Sequence, residues 1–109
     1  MDKVVLKIKE IELGFLVKEQ SDFIFIANES NIKLAYKKYP LLMRMFTLNE
    51  KGKKDYKFLP YPFSLVRDSF LRSDIIIKAD LKEDDDDFVK LFKVAGLDLE
   101  IPNFIICQG

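Results

Sequence analysis

Lys3-Val4-Val5-Leu6-Lys7-Ile8-Lys9-Glu10-Ile11-Glu12-Leu13-Gly14-Phe15-Leu16-Val17, with Phe23-Ile24-Phe25-Ile26 shortly after, is the stretch whose reading decides the fold class. Val4, Leu6 and Ile8 alternate with Lys3, Lys7 and Lys9. That period of two predicts a half-buried strand, with Val5 the residue out of phase. Glu10-Ile11-Glu12 reads as a short connection. Residues 13–17 then read as a second strand, in which Gly14 marks a bulge or a close backbone approach. Glu19-Gln20-Ser21-Asp22 is turn-like, and 23–26 is a third strand dense in β-forming residues. Strands joined by such short connections pair antiparallel, so a meander is expected.

Outward from this core the pattern changes period. A helix is expected over 31–38, capped by Asn28 or Ser30, with Ile32, Ala35, Tyr36 and Tyr39 on one face and Pro40 as its stop. Residues 41–48 read as a strand with Leu42, Arg44, Phe46 and Leu48 opposite Leu41, Met43 and Met45, and 49–57 as a charged loop around Gly52. In Phe58-Leu59-Pro60-Tyr61-Pro62-Phe63, two prolines fix φ at alternate positions and stiffen the path that carries three aromatics. Ser64 caps an expected helix over 64–72. Ile75-Ile76-Ile77 is a short buried run that periodicity leaves open between helix and strand. Phe88, Leu91, Phe92 and Ala95 recur at helical spacing, with carboxylates before them, Lys90 and Lys93 towards the end, and Gly96 placed at C′. Ile101, Phe104, Ile105 and Ile106 suggest a final strand with Pro102 at its start. The expected architecture is α+β: a small, mostly antiparallel sheet or partly closed barrel with two or three short helices, in one domain over 1–109.

Composition excludes several chemistries. The 109 residues include no His, so a His base, a Ser-His-Asp or Cys-His system and a His-containing zinc site are impossible within them. The one Cys, Cys107, allows no internal disulfide and fits a strand better than an unassisted nucleophile. Met1-Asp2-Lys3 begins no signal-peptide pattern and no apolar run approaches the roughly 20 residues of a membrane span, so a cytoplasmic location is expected. No phosphate-binding glycine loop occurs, since the four glycines are isolated. An enzyme using Asp68 and Asp74 would lack a nucleophile, a base and a cofactor motif, and the reading is therefore of a protein that is not an enzyme, with no cofactor, metal or small-molecule substrate.

Net charge is zero but unevenly placed: residues 1–60 hold 12 bases and 8 acids, residues 61–109 hold 6 bases and 10 acids. Such a chain can steer a partner or fold its two ends together. Residues 83–87 are five contiguous acids. A calcium loop needs alternate acids, a Gly and a closing Glu, so a charged helix start is the simpler reading. The stretch 33–57 holds Lys33, Lys37, Lys38, Arg44, Lys51, Lys53, Lys54 and Lys57, interleaved with Tyr36, Tyr39, Tyr56 and Phe58. Lysines among stacking aromatics make single-stranded nucleic-acid binding the alternative function, although a pI near 6.3 is far from the basic range of such domains. The stiff 58–63 segment is the better binding candidate, because aromatics on a rigid loop lose little entropy on docking; the competing reading is that they fill the domain's own core.

The order of motifs resembles the opening of HipA-type kinases. Lys3-Val4-Val5-Leu6, Leu13-Gly14-Phe15-Leu16 and Phe23-Ile24-Phe25 are similar to that family's first strand, its V-G-x-L strand and its F-x-Y strand. Pro40-Leu41-Leu42-Met43-Arg44-Met45 resembles its R-P-L-S-L-S-L-P strand, Leu59-Pro60 with Leu65-Val66-Arg67-Asp68 its L-L-P-D and V-R-D helix start, and 88–96 with 99–107 its last helix and following strand. The family's third-strand Tyr is Ile26 or Ala27 here, and Leu42 and Arg44 replace its serines. In that family this region is a small N-terminal subdomain, and the ATP site and catalytic Asp residues lie downstream. Free-standing counterparts are the HipS-like antitoxins of tripartite HipBST toxin–antitoxin systems. The resemblance thus implies a bacterial antitoxin that binds and inhibits a HipT-type Ser/Thr kinase toxin, joined by a HipB-like helix-turn-helix protein and through it DNA, with no membrane partner. The residues expected to touch the kinase are Phe58, Leu59, Tyr61, Phe63 and Arg67.

Overall fold

The fold was analysed in a computed structural model, which describes residues 2–19, 22–46, 72–97, 99–101 and 104–109. The aromatic segment 58–63, Arg67, Asp68, Lys51 to Lys57, residues 64–71 of the helix expected over 64–72, and Pro102 lie outside the described residues. Strands β1 (Val4–Ile8), β2 (Ile11–Glu19) and β3 (Asp22–Ala27) form the expected antiparallel meander. Helix α1 (Glu29–Lys38) and a 3-10 turn (Leu42–Met45) follow. After them come α2 (Ser73–Ala79), α3 (Asp87–Ala95), β4 (Leu99–Ile101) and β5 (Phe104–Gln108). Among the described residues all strand pairs are antiparallel, and five strands run in the order β3-β2-β1-β5-β4. The architecture is α+β. The sheet is open, with β3 and β4 at its two ends, so the barrel alternative does not hold.

The first hairpin turns on Lys9 and Glu10 alone, with Lys9 at φ 51°. Ile8 already faces Ile11, so Ile11 and Glu12 belong to β2 rather than to a connection. The pairing Leu6 with Gly14 and Lys7 with Glu12 leaves Leu13 as the extra residue of a β-bulge. This re-phases β2. Leu13 and Leu16, three apart, both enter the core, which strict alternation would forbid. Gly14 has φ 149° and packs against β3 so closely that a Cβ would sit 2.4 Å from the Ile26 carbonyl oxygen. Both meanings assigned to this glycine hold together. Val5 leaves the alternation because it faces the other side of the sheet, opposite Phe15 and Cys107.

The core lies on one face. Val4, Leu6, Leu16, Phe25, Phe104 and Ile106 of the sheet meet Ile32 and Ala35 of α1, Ile75 of α2 and Phe88, Leu91 and Val94 of α3. Phe46 bridges two strands, 6.2 Å from Phe25 edge-to-face and 6.4 Å from Phe104. That placement explains why 41–46, the described part of the strand expected over 41–48, is not a strand. Buried Met43 and Phe46 are three residues apart, the repeat of a 3-10 helix, and the Met43 and Phe46 amides donate to Tyr39 and Met43 carbonyls. Only a tight turn after Pro40 points both side chains into the same core.

Helix starts follow local chemistry. Asn28, the first of the two expected caps, accepts the Asn31 amide at 3.1 Å, so α1 begins two residues earlier than expected. Asp86 accepts the Val89 amide at 2.8 Å and starts α3. The isoleucine run is helical, and only Ile75 of its three residues is buried, with Ala79 one turn on. Ile76 and Ile77 face outwards, which corrects the reading of a buried run. Arg72 is extended rather than helical and precedes α2. Gly96 has φ −64°, so it closes α3 without a left-handed turn. It makes room instead for Gln108, whose amide nitrogen donates to the Phe92 carbonyl at 2.9 Å. The final strand is two strands, β4 and β5, paired with each other.

Candidate functional site

The scaffold presents three surfaces on which function can rest. The first is an open depression of about 500 Å³ where β2, β3 and the start of α1 meet, lined by Glu12, Phe15, Ile26, Asn28, Glu29 and Ser30 among others. Two of its polar side chains, Asn28 and Ser30, are committed to the fold. The Asn28 side-chain oxygen accepts both the Asn31 amide and the Ser30 hydroxyl, and Asn31 donates to the Glu12 carbonyl at 3.0 Å. What the depression offers is an apolar floor, Phe15 and Ile26, paired across β2 and β3. Lys3 lies 4.4 Å from the Phe15 ring centre.

The second surface is basic. On α1, Lys33, Leu34 and Lys37 lie opposite buried Ile32 and Ala35 and are exposed, as are Leu41 and Arg44 on the turn beyond. Lys33, Lys37 and Arg44 make no ion pair among the described residues. Lys38 differs. Its ammonium pairs with Glu10, whose carboxylate also accepts the Tyr39 hydroxyl at 3.0 and 3.1 Å. The Lys38 hydrogen bond above all, with backbone and Tyr39 donors, lowers the Glu10 pKa from 4.5 to about 2. The same contact raises that of Lys38. Tyr36 donates to the Phe46 carbonyl at 3.5 Å. Two of the aromatics interleaved with the lysines thus have hydroxyls tied to their own chain.

The third surface is acidic, and its parts divide. Asp86 caps α3 and pairs with Lys18 of β2, so the basic first half and acidic second half of the chain meet in this ion pair. Asp85 accepts the Lys82 amide at 3.0 Å and the Lys93 ammonium at 2.6 Å, and the lysine holds its carboxyl below the usual range. Asp80 pairs with Lys82 at 2.9 Å. Glu83 and Asp84 are exposed and make no ion pair among the described residues. The reading of residues 83–87 as a helix start is met at Asp86. Among the described residues no three His, Cys, Asp or Glu side chains converge as a metal site.

No family model, curated protein or solved structure matches this chain. The geometry of its own residues therefore carries the functional argument. Of the residues expected at the partner surface, Phe58, Leu59, Tyr61, Phe63 and Arg67 fall outside the described segments. Asp74, one of the two carboxylates weighed for catalysis, is bound by the Arg72 guanidinium at 2.9 and 3.3 Å; Asp68 is outside the described residues. Cys107 is a half-buried strand residue on the sheet face away from the main core, opposite Val5. Among the described residues no helix is long and apolar enough to cross a membrane. Sequence reading missed the exposed aliphatic residues Leu34, Leu41 and Ile77. Leu41 and Ile77 sit in apolar runs, and a run reads as buried until the local period is known.

Proposed function

We propose that this chain is a HipS-like antitoxin, a protein-binding domain that docks on a HipA-type Ser/Thr kinase and restrains it. The observation that supports this reading most is the placement of the resembling motifs. The residues similar to the family's first three strands occupy β1, β2 and β3 in order, and the last two resembling segments form α3 and the β4–β5 pair. The segment resembling the family's fourth strand is the exception, being a 3-10 turn. In this proposal the folded sheet is a rigid platform. It presents the stiff Phe58-Leu59-Pro60-Tyr61-Pro62-Phe63 segment and Arg67 to the kinase, and an aromatic ring wedges against substrate access or closure of the kinase lobes.

The test is a phosphoryl-transfer assay of the kinase with increasing amounts of this chain, parent against Phe58→Ala, Tyr61→Ala and Phe63→Ala. Truncation of a wedge residue removes roughly 2 kcal/mol or more of binding, a loss of about thirtyfold or greater in inhibitory potency. If all three variants fold and inhibit as the parent does, the wedge is refuted. If the parent itself neither binds nor inhibits the kinase, so is the antitoxin reading.

A further inference from the structure

We draw no further inference here: the strongest candidate, the exposed basic face of α1 and the turn after it, where Lys33, Lys37 and Arg44 stand with Leu34, Tyr36 and Leu41, carries nothing because nothing in the structure shows what covers it.

Discussion

Replacing Gly14 with alanine tests the bulge on which the sheet's register depends. Two costs combine. The φ of 149° belongs to a region that residues with a Cβ rarely adopt, and holding one there costs about 1–3 kcal/mol. The new methyl would also sit 2.4 Å from the Ile26 carbonyl oxygen, 2.8 Å from the Phe25 ring edge and 3.0 Å from the Ala27 Cα. Two of those three atoms are backbone of the paired strand, which cannot rotate away, so overpacking adds roughly 1–3 kcal/mol. The total, about 2–6 kcal/mol, is a large share of the roughly 5–15 kcal/mol that holds a small domain folded. At about 4 °C per kcal/mol for a chain of this length, the melting temperature should fall by roughly 8–24 °C, read by circular dichroism and checked by urea titration at unchanged slope. Gly96→Ala is the internal control. Its φ is −64°, and the closest atom to a new Cβ, at 2.8 Å, is the end of the flexible Gln108 side chain. Losing the Gln108 hydrogen bond, about 0.5–1.5 kcal/mol, is offset by the smaller entropy of the unfolded alanine chain, about 0.4–1 kcal/mol. A Gly14→Ala melt within about 2 °C of the parent, or as mild as Gly96→Ala, would refute the reasoning.

Asp86→Ala should lower stability by about 0.5–2 kcal/mol through the lost cap of α3. Asp86→Asn, which keeps a capping oxygen, should recover most of it; equal losses in the two variants would place the effect in the Lys18 pair instead. Glu10 should titrate near pH 2 in the folded protein, followed by NMR of its side-chain carboxyl, and Lys38→Met should move the midpoint back towards 4.5. Because the folded value lies below the unfolded one, the stability this carboxylate contributes is complete above about pH 4.5 and is lost as pH falls towards 2. A midpoint that ignores Lys38→Met would show that the pair does not form in solution.

The meander was legible because three strong local signals agreed: period-two alternation in β1, β-formers in β3, and an isolated glycine between them. Helix α3 was legible for a similar reason, since Phe88, Leu91 and Ala95 keep helical spacing behind a capping aspartate. The misread pieces are those where local pattern and tertiary packing diverge. Residues 41–46 alternate poorly and pack well, and burial of Met43 and Phe46 between strands decides for a 3-10 turn. Ile75-Ile76-Ile77 has the composition of a buried strand, but as a short helix it can turn only one of its three side chains inwards. The ion pairs Lys18–Asp86 and Lys38–Glu10 join residues 68 and 28 positions apart and leave no local signature. Of the candidate site, the charge division of the chain was visible beforehand. Which charges are left unpaired depended on those long-range contacts.

The central claim, that this chain restrains a HipA-type kinase, is tested most directly by affinity purification of the tagged protein from its native cells with mass spectrometry of the bound chains. The account predicts stoichiometric recovery of a HipA-type kinase whose phosphoryl transfer falls when purified chain is added. Recovery of nucleic acid alone, or of no kinase, would contradict it.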